Sequence, residues 1–217
     1  MICIIPAHNE EENIQKTVQE AKKYIDTVLV VNDGSKDKTK ELSKKTDAIV
    51  INHTINRGQG SALETGNEYA RRNNFDLVIH FDADGQFLAK EIPEIIEPLK
   101  NGYDVSFGSR FLGKKSKMPW IKKHIIMRIG KAINYVFLGV KTTDPQSGFR
   151  AMNRKALEKI KIENDGMAHC SEILAKTHKE NLLFKEVPIT VIYNEFGQSF
   201  GSGFKTLKDL IIHKINK

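Results

Sequence analysis

Apolar positions along this chain fall into short runs separated by stretches of helical spacing, and the two patterns alternate. Residues 2–6 form a run of buried-strand type, residues 27–31 are β-branched, and residues 48–52 and 75–81 repeat the pattern. After the first run, Ile14, Val18, Ala21 and Ile25 recur at three- and four-residue steps, which predicts a helix. Asp37 is placed to cap a second helix running to about Lys45, and Gly58-Gln59-Gly60 opens a third that reaches about Arg72. Such alternation predicts an α/β domain with a Rossmann-like, mostly parallel central sheet and helices on both faces.

The second half is less regular. Residues 91–99 have helical spacing and residues 103–107 read as a strand, followed by a Gly-, Ser- and Lys-rich loop over 106–119. Residues 120–138 carry a long helical pattern. A loop over 142–148 leads to short strands near 149–152 and 187–193, and His169 and His178 fall near a further helix. At 217 residues the chain is long enough for one sizeable domain. Residues 1–104 read as a nucleotide-binding half and 105–217 as an acceptor half.

In sheets of this kind ligands bind beyond the carboxyl ends of the strands. Asn32-Asp33-Gly34-Ser35 ends the second strand and Asp82-Ala83-Asp84-Gly85-Gln86 ends the fourth, so both acidic turns stand where a site belongs. Carboxylates on alternate positions suit a hard cation such as Mg²⁺ or Mn²⁺, commonly held by one or two carboxylates together with substrate phosphates. A diphosphate leaving group gathers negative charge as its bond breaks, and a cation there neutralises it. The plain structural reading is an acidic turn capping the next helix. The apolar strand directly before the triplet favours the metal reading.

Composition narrows the compartment. Apolar residues make up 40% and charged residues 28%, which excludes wholesale disorder. No apolar run reaches eighteen residues, and the first residues lack the basic and small-residue signature of a signal peptide. Cys3 and Cys170 stand far apart, so neither a disulfide framework nor a structural zinc site is expected, and a reducing cytoplasm fits. The net charge of +7 points to anionic partners. Nucleic acid is not one of them, because the basic residues are not interleaved with aromatics on any recognisable module.

Four ordered stretches, Ile4-Ile5-Pro6-Ala7-His8-Asn9-Glu10-Glu11, Val31-Asn32-Asp33-Gly34-Ser35, Asn56-Arg57-Gly58-Gln59-Gly60 and Asp82-Ala83-Asp84-Gly85-Gln86, resemble the signatures of family 2 glycosyltransferases with a GT-A fold. Gly108-Ser109-Arg110-Phe111 and Asp144-Pro145-Gln146-Ser147-Gly148-Phe149-Arg150 are similar to its polyprenyl-phosphate branch, which includes the dolichyl-phosphate mannose synthases. The resemblance implies an inverting, metal-dependent hexosyltransferase that takes a GDP- or UDP-sugar and passes the sugar to a lipid phosphate. It implies that Pro6, Ala7, His8, Glu10, Val31, Asp33, Gly58, Asp82, Ala83 and Asp84 surround the nucleotide-sugar, and that Asp82, Asp84 and Gln86 hold Mg²⁺ or Mn²⁺. Asp33 accepts from a base N–H, Glu10 from ribose hydroxyls, and His8 stacks on the base. Glu11 is left to pair with the dipole of the first helix. The Gly58-Gln59-Gly60 turn offers backbone amides to a phosphate.

Arg110 is the expected phosphate clamp, and Arg150, beside an apolar Phe149, is either a second cation of the site or a structural ion-pair partner. Asp144 is the candidate general base if the acceptor is an alcohol. A phosphate acceptor, with a second pKa of about 6, needs no strong base. Residues 120–138 and 204–217 mix apolar with Lys and Arg positions, the pattern of basic amphipathic helices at a membrane interface. A peripheral contact on the cytoplasmic face of a membrane is therefore expected. The branch often carries cations flanking a late Gly-x-Ser; here Asn194 and Phe200 stand at those places, with Lys205 nearby. Two other classes compete. A sugar nucleotidyltransferase would open with a basic Gly-rich loop where this chain has Ala7-His8-Asn9-Glu10-Glu11, and a non-catalytic binding module would not need the intact triplet.

Overall fold

The computed structural model describes residues 1–113 and 142–192. Seven strands, β1 (Ile2–Ala7), β2 (Val28–Asn32), β3 (Ile49–Asn52), β4 (Leu77–His80), β5 (Val105–Ser109), β6 (Arg150–Asn153) and β7 (Phe184–Pro188), make one sheet in the order β3-β2-β1-β4-β6-β5-β7. β1 pairs in parallel with β2 and β4, and β2 with β3. β6 runs antiparallel between β4 and β5, and β5 pairs in parallel with β7. After β3 the chain crosses back over β1 to enter β4. The carboxyl ends of β1 and β4 therefore flank the point where strand order reverses, the crevice in which open α/β sheets bind ligands.

Alternation along the strands feeds two cores. Cys3, Ile5, Val28, Val30 and Ile79 pack on one face with Ile14, Val18 and Ala21 of α1 (Ile14–Lys22) and Ile92, Ile95 and Ile96 of α4 (Ile92–Lys100). Ile2, Ile4, Leu29, Val31 and Val78 pack on the other with Ala62, Leu63 and Ala70 of α3 (Gln59–Arg72). That second face is completed by Leu157 of α5 (Arg154–Lys159) and by Ile173 and Leu174 of α6 (His169–Lys179). With both faces covered, β1 and β2 are buried along their whole length and show no polar alternation.

The helices and strands read from the pattern are present, with their ends moved. α1 stops at Lys22 and Ile25 is buried in the turn beyond it. α2 (Thr39–Lys44) begins two residues after Asp37, whose Oδ1 accepts from the Thr39 amide at 3.0 Å. Glu11 serves this helix and not the first: its Oε2 accepts from the Lys38 amide at 3.0 Å, and the first turn of α1 has no acidic residue. The last strand lies at Phe184–Pro188, earlier than expected, because it pairs with β5 in register from Val105↔Phe184 to Ser109↔Pro188. α5 was not anticipated. Its signal is Asn153, whose side chain caps it by accepting from the Ala156 amide at 2.9 Å. The helices expected over 120–138 and 204–217, together with Asn194, Phe200 and Lys205, lie outside the described residues. Among the described residues no helix is long and apolar enough to cross a membrane.

α3 lies tight on the sheet at Gly66, where an added Cβ would meet Ile4 Cγ2 at 2.4 Å. Ile4 is fully buried and has nowhere to retreat. Gly66→Ala is expected to lower stability by about 1–3 kcal/mol by overpacking, despite the better helix propensity of alanine. Urea denaturation measures it; an unchanged or higher midpoint would contradict this packing.

Candidate active site

The loop after β1 is fastened to the loop after β2. Asn9, in the left-handed region at φ 56°, donates from its amide to Ser35 Oγ at 3.0 Å, and its Oδ1 accepts from the Lys36 amide at 2.9 Å. The Glu10 amide donates to Thr39 Oγ1 at 2.7 Å and the Glu11 amide to Asp37 Oδ2 at 3.1 Å. These bonds fix Glu10 at the strand end. Burial pushes its carboxyl up against a hydrogen bond from Asn13, and the Asp84 carboxylate nearby pushes it further.

The acidic triplet is held from several sides. Thr17 of α1 donates to the Ala83 carbonyl at 3.1 Å in a buried bond. Gln59 Nε2, in the first turn of α3, donates to Asp82 Oδ1 at 2.8 Å, and Asp84 Oδ1 accepts from the Gln86 amide at 3.0 Å. The other Asp82 oxygen lies against Gly148, where a Cβ would stand 2.2 Å from Oδ2, so any side chain at 148 would displace this carboxylate. Burial first, and then Asp84, push the Asp82 carboxyl up to about 7. Burial raises Asp84 as well. Glu10, Asp82 and Asp84 thus form a half-buried group of carboxylates at the switch point of the sheet, in which the Asp84 charge adds to the burial of the other two.

Asp33 is buried and fully engaged with its own chain. Its Oδ1 accepts from the Arg57 amide at 2.9 Å and from His53 Nδ1 at 2.7 Å, and its Oδ2 from the Gly58 amide at 2.7 Å. The Gly60 amide donates to the Asp165 carbonyl at 2.7 Å. Two of the amides expected to face a phosphate at this turn, those of Gly58 and Gly60, therefore donate to protein oxygens. Gly58, at φ 101°, enters the site by holding Asp33. His8 Nδ1 donates to the Asp33 carbonyl at 2.8 Å, which fixes its ring at the crevice edge. Pro6, Ala7 and Ala83 are buried walls, and Val31 points into the core on the α3 face. Gln86 is half-buried, and its carbonyl accepts from the Ile192 amide at 2.9 Å.

Arg110 and Asp144 come together across 34 positions of sequence. Arg110 Nε donates to Asp144 Oδ2 at 2.6 Å and Nη2 to Oδ1 at 2.7 Å, a bidentate pair with the carboxylate buried. The Arg110 amide adds a third bond at 3.1 Å. Glu186, which the sequence pattern did not single out, accepts from the Thr143 amide at 2.8 Å and the Asp144 amide at 3.2 Å and so fixes the backbone of this turn. Arg150 is not in the crevice: it is 1% exposed and lies beneath the triplet with Cys170 and His169. His169 donates from Nδ1 to the Gly166 carbonyl at 2.9 Å and is buried in the core. A separate cavity of about 620 Å³, lined by Arg57, Glu64, Thr65, Arg72 and Asp165 among others, lies along α3 away from the triplet.

Carboxylates at the switch point of a mostly parallel sheet, with a bidentate Arg–Asp pair just beyond β5, stand where open α/β sheets bind their ligands. Residues 2–161 match the family described as glycosyl transferase family 2, and the chain belongs to it. It is 33% identical over 99% of its length to the UDP-N-acetylglucosamine–dolichyl-phosphate N-acetylglucosaminyltransferase of Methanococcus voltae, covering 96% of that protein. It is 31% identical over 93% of its length to the polyprenol monophosphomannose synthase of Mycolicibacterium smegmatis, covering 81% of it. Among solved structures, glucosyl-3-phosphoglycerate synthase from Mycobacterium tuberculosis in complex with Mn²⁺ and UDP-glucose superposes with a TM-score of 0.75 at 16% identity, over 99% of this chain and 77% of that one. The fold is GT-A, and the relatives place the chain with the polyprenyl-phosphate branch of the family.

The raised Asp82 carboxyl has a thermodynamic signature. The folded side chain gives up its proton only at about 7, against 3.8 as the ordinary value. Between these values the native state keeps a proton that the unfolded chain has lost. The stability from Asp82 is therefore fully present below 3.8 and is lost as pH rises through about 7. Asp82→Asn abolishes this loss. In EDTA, the stability of the variant relative to the wild type is expected to grow between pH 4 and pH 7 and level off above. Urea midpoints across that range measure it, and a pH-independent difference would contradict the assignment.

Proposed function

We propose that this glycosyltransferase moves a hexose from a GDP- or UDP-sugar to the phosphate of a polyprenyl or dolichyl phosphate, with inversion at the anomeric carbon. Mg²⁺ or Mn²⁺ is held by Asp82, Asp84 and Gln86. The observation that carries this reading is the carboxylate group Glu10, Asp82 and Asp84 at the switch point, where burial raises the proton affinity of all three and the Asp84 charge raises that of Glu10 and Asp82 further. Such a group is stabilised by a cation. Its hard oxygen donors fit Mg²⁺ or Mn²⁺. Among the described residues no three Asp, Glu, His or Cys side chains close into a metal cage, so this reading requires substrate phosphates to complete the cation's ligands. When bound, the cation supplies the charge that stabilises a departing nucleoside diphosphate.

The chain's own residues take the remaining roles. Pro6, Ala7 and Ala83 shape the floor of the donor crevice, Val31 backs it from the core, and His8 offers its ring to the base. Asp33 and Gly58 fix the wall beside it, and Glu10 faces the ribose. Asp82 and Asp84 orient the diphosphate. The two named relatives act on dolichyl phosphate and make a polyprenol monophosphomannose, and these names support a lipid-phosphate acceptor. Such a phosphate is already an oxyanion near neutral pH. The bidentate hold of Asp144 on Arg110 suits that acceptor, because it fixes the plane of a guanidinium that matches phosphate geometry. Asp144 as a proton acceptor is required only for an alcohol.

A thermal-shift panel of GDP-, UDP- and dTDP-sugars with and without Mn²⁺ tests the donor site. One donor class should raise the melting temperature only with the metal, and Asp84→Asn should remove that response. No response to any donor would overturn the reading. Asp144→Asn separates the two roles of its carboxylate. With a lipid-phosphate acceptor, turnover is expected to fall by about tenfold to a hundredfold through loss of the Arg110 hold, with the pH profile unchanged. Loss of a basic limb from the profile would make Asp144 the base.

A further inference from the structure

The turn over residues 144–148 carries two features of the site, the Asp144 carboxylate paired with Arg110 and the Gly148 backbone against Asp82. Glu186 fixes the start of this turn, and a buried network behind it holds the end. Arg150 stands opposite His80 in the β4–β6 ladder, and both are almost wholly buried. Its Nη2 donates to the Ser147 carbonyl at 2.8 Å and its Nε to the Gly148 carbonyl at 3.3 Å, so one guanidinium grips the turn at two successive residues. The same Nη2 reaches Cys170 Sγ at 3.2 Å, in the first turn of α6. His169 Nε2 lies 3.3 Å from that sulfur. Arg150 Nη1 is buried with no hydrogen-bond partner among the described residues.

A buried guanidinium is costly unless its donors are satisfied, and losing one acceptor leaves an uncompensated charge free to pull on the others. His80 adds no like charge beside it, because burial, and then Arg150 itself, keep its imidazole well below the usual range. Cys170 is thus the acceptor that joins Arg150 to α6. A second tie runs alongside, where Gln146 Nε2 donates to Ser171 Oγ at 3.2 Å. Arg150, Cys170 and His169 are buried, and neither Cys170 nor His169 carries a motif in the sequence.

We infer that Cys170, acting through Arg150, is a positioning residue of the transfer reaction. It braces the 144–148 turn against α6 so that Gly148 stays on Asp82 and Asp144 stays on Arg110. The kinetic part of this inference rests on the proposed function; the mechanical part does not. A sulfur there only to fill space would be replaceable by any side chain of its size. A bracing sulfur requires an acceptor.

Cys170→Val keeps the volume and removes the acceptor, while Cys170→Ser keeps one. Amide hydrogen exchange over residues 144–148 in the full chain reads the brace without substrates, and steady-state kinetics with the preferred donor read its consequence. The valine variant should exchange about tenfold faster over this turn, with kcat about tenfold lower and the donor KM changed less than about threefold. The serine variant should restore both, in keeping with the cost of an unmet buried donor. Unchanged exchange, unchanged kcat, or a serine variant as impaired as the valine one would overturn the inference. If the valine variant does not unfold cooperatively, Gln146→Ala, which cuts the second tie at a half-buried position, must accelerate the same amides, and its failure to do so is equally decisive. Wild-type protein inactive with every donor would count against the proposed function, and exchange would still decide the brace.

Discussion

The confinement of carboxylates at the ends of β1 and β4, where burial and then the Asp84 charge raise their proton affinity, is the constraint around which this site is arranged. Glu10, Asp82 and Asp84 would separate or take up protons if left to themselves, and each is prevented from moving by a neutral or backbone contact. Thr17 holds the Ala83 carbonyl, Gln59 holds one Asp82 oxygen, and the bare backbone of Gly148 closes on the other. The Asn9 and Glu10 amides are tied to Ser35 and Thr39, so Glu10 cannot swing away. Burial first, and then the Asp84 charge, push the Asp82 carboxyl up to about 7 in this setting. Carboxylates so fixed need little reorganisation when charge changes beside them.

Much of this was legible in the sequence because it depends on local pattern. Short apolar runs separated by helical spacing specify the β–α alternation, and alternation specifies a parallel sheet with its site at the strand ends. The Asp33 and Asp82–Asp84 turns follow their strands directly, so their place could be read before their contacts. The antiparallel insertion of β6 between β4 and β5 could not. It pairs Leu77 with Asn153 and Val105 with Met152, contacts between stretches separated by dozens of residues. The same distance hid the partner of Arg110, which lies 34 residues away in a turn whose backbone is fixed by Glu186.

Other features were hidden because one residue type serves several purposes. Asp33 looked like a base acceptor and is also the anchor for the amides of Arg57 and Gly58. Glu11 looked like a dipole partner for α1 and instead meets the start of α2, because the loop between β1 and α1 folds across. Cys170 and His169 carry no motif. Their meaning comes from Arg150, which the strand register places at full burial beneath the triplet. The chemistry of the site rests on these contacts and not on the fold.

The central claim is cation-dependent transfer of a sugar to a lipid phosphate at the Asp82–Asp84 site. The most direct measurement incubates the purified chain with radiolabelled GDP- or UDP-sugar and a polyprenyl phosphate, and counts label in the organic phase. Label should appear there with one donor class, vanish with EDTA or with Asp84→Asn, and return to the wild type on adding Mn²⁺. No transfer with any donor, or transfer indifferent to EDTA, would contradict the account.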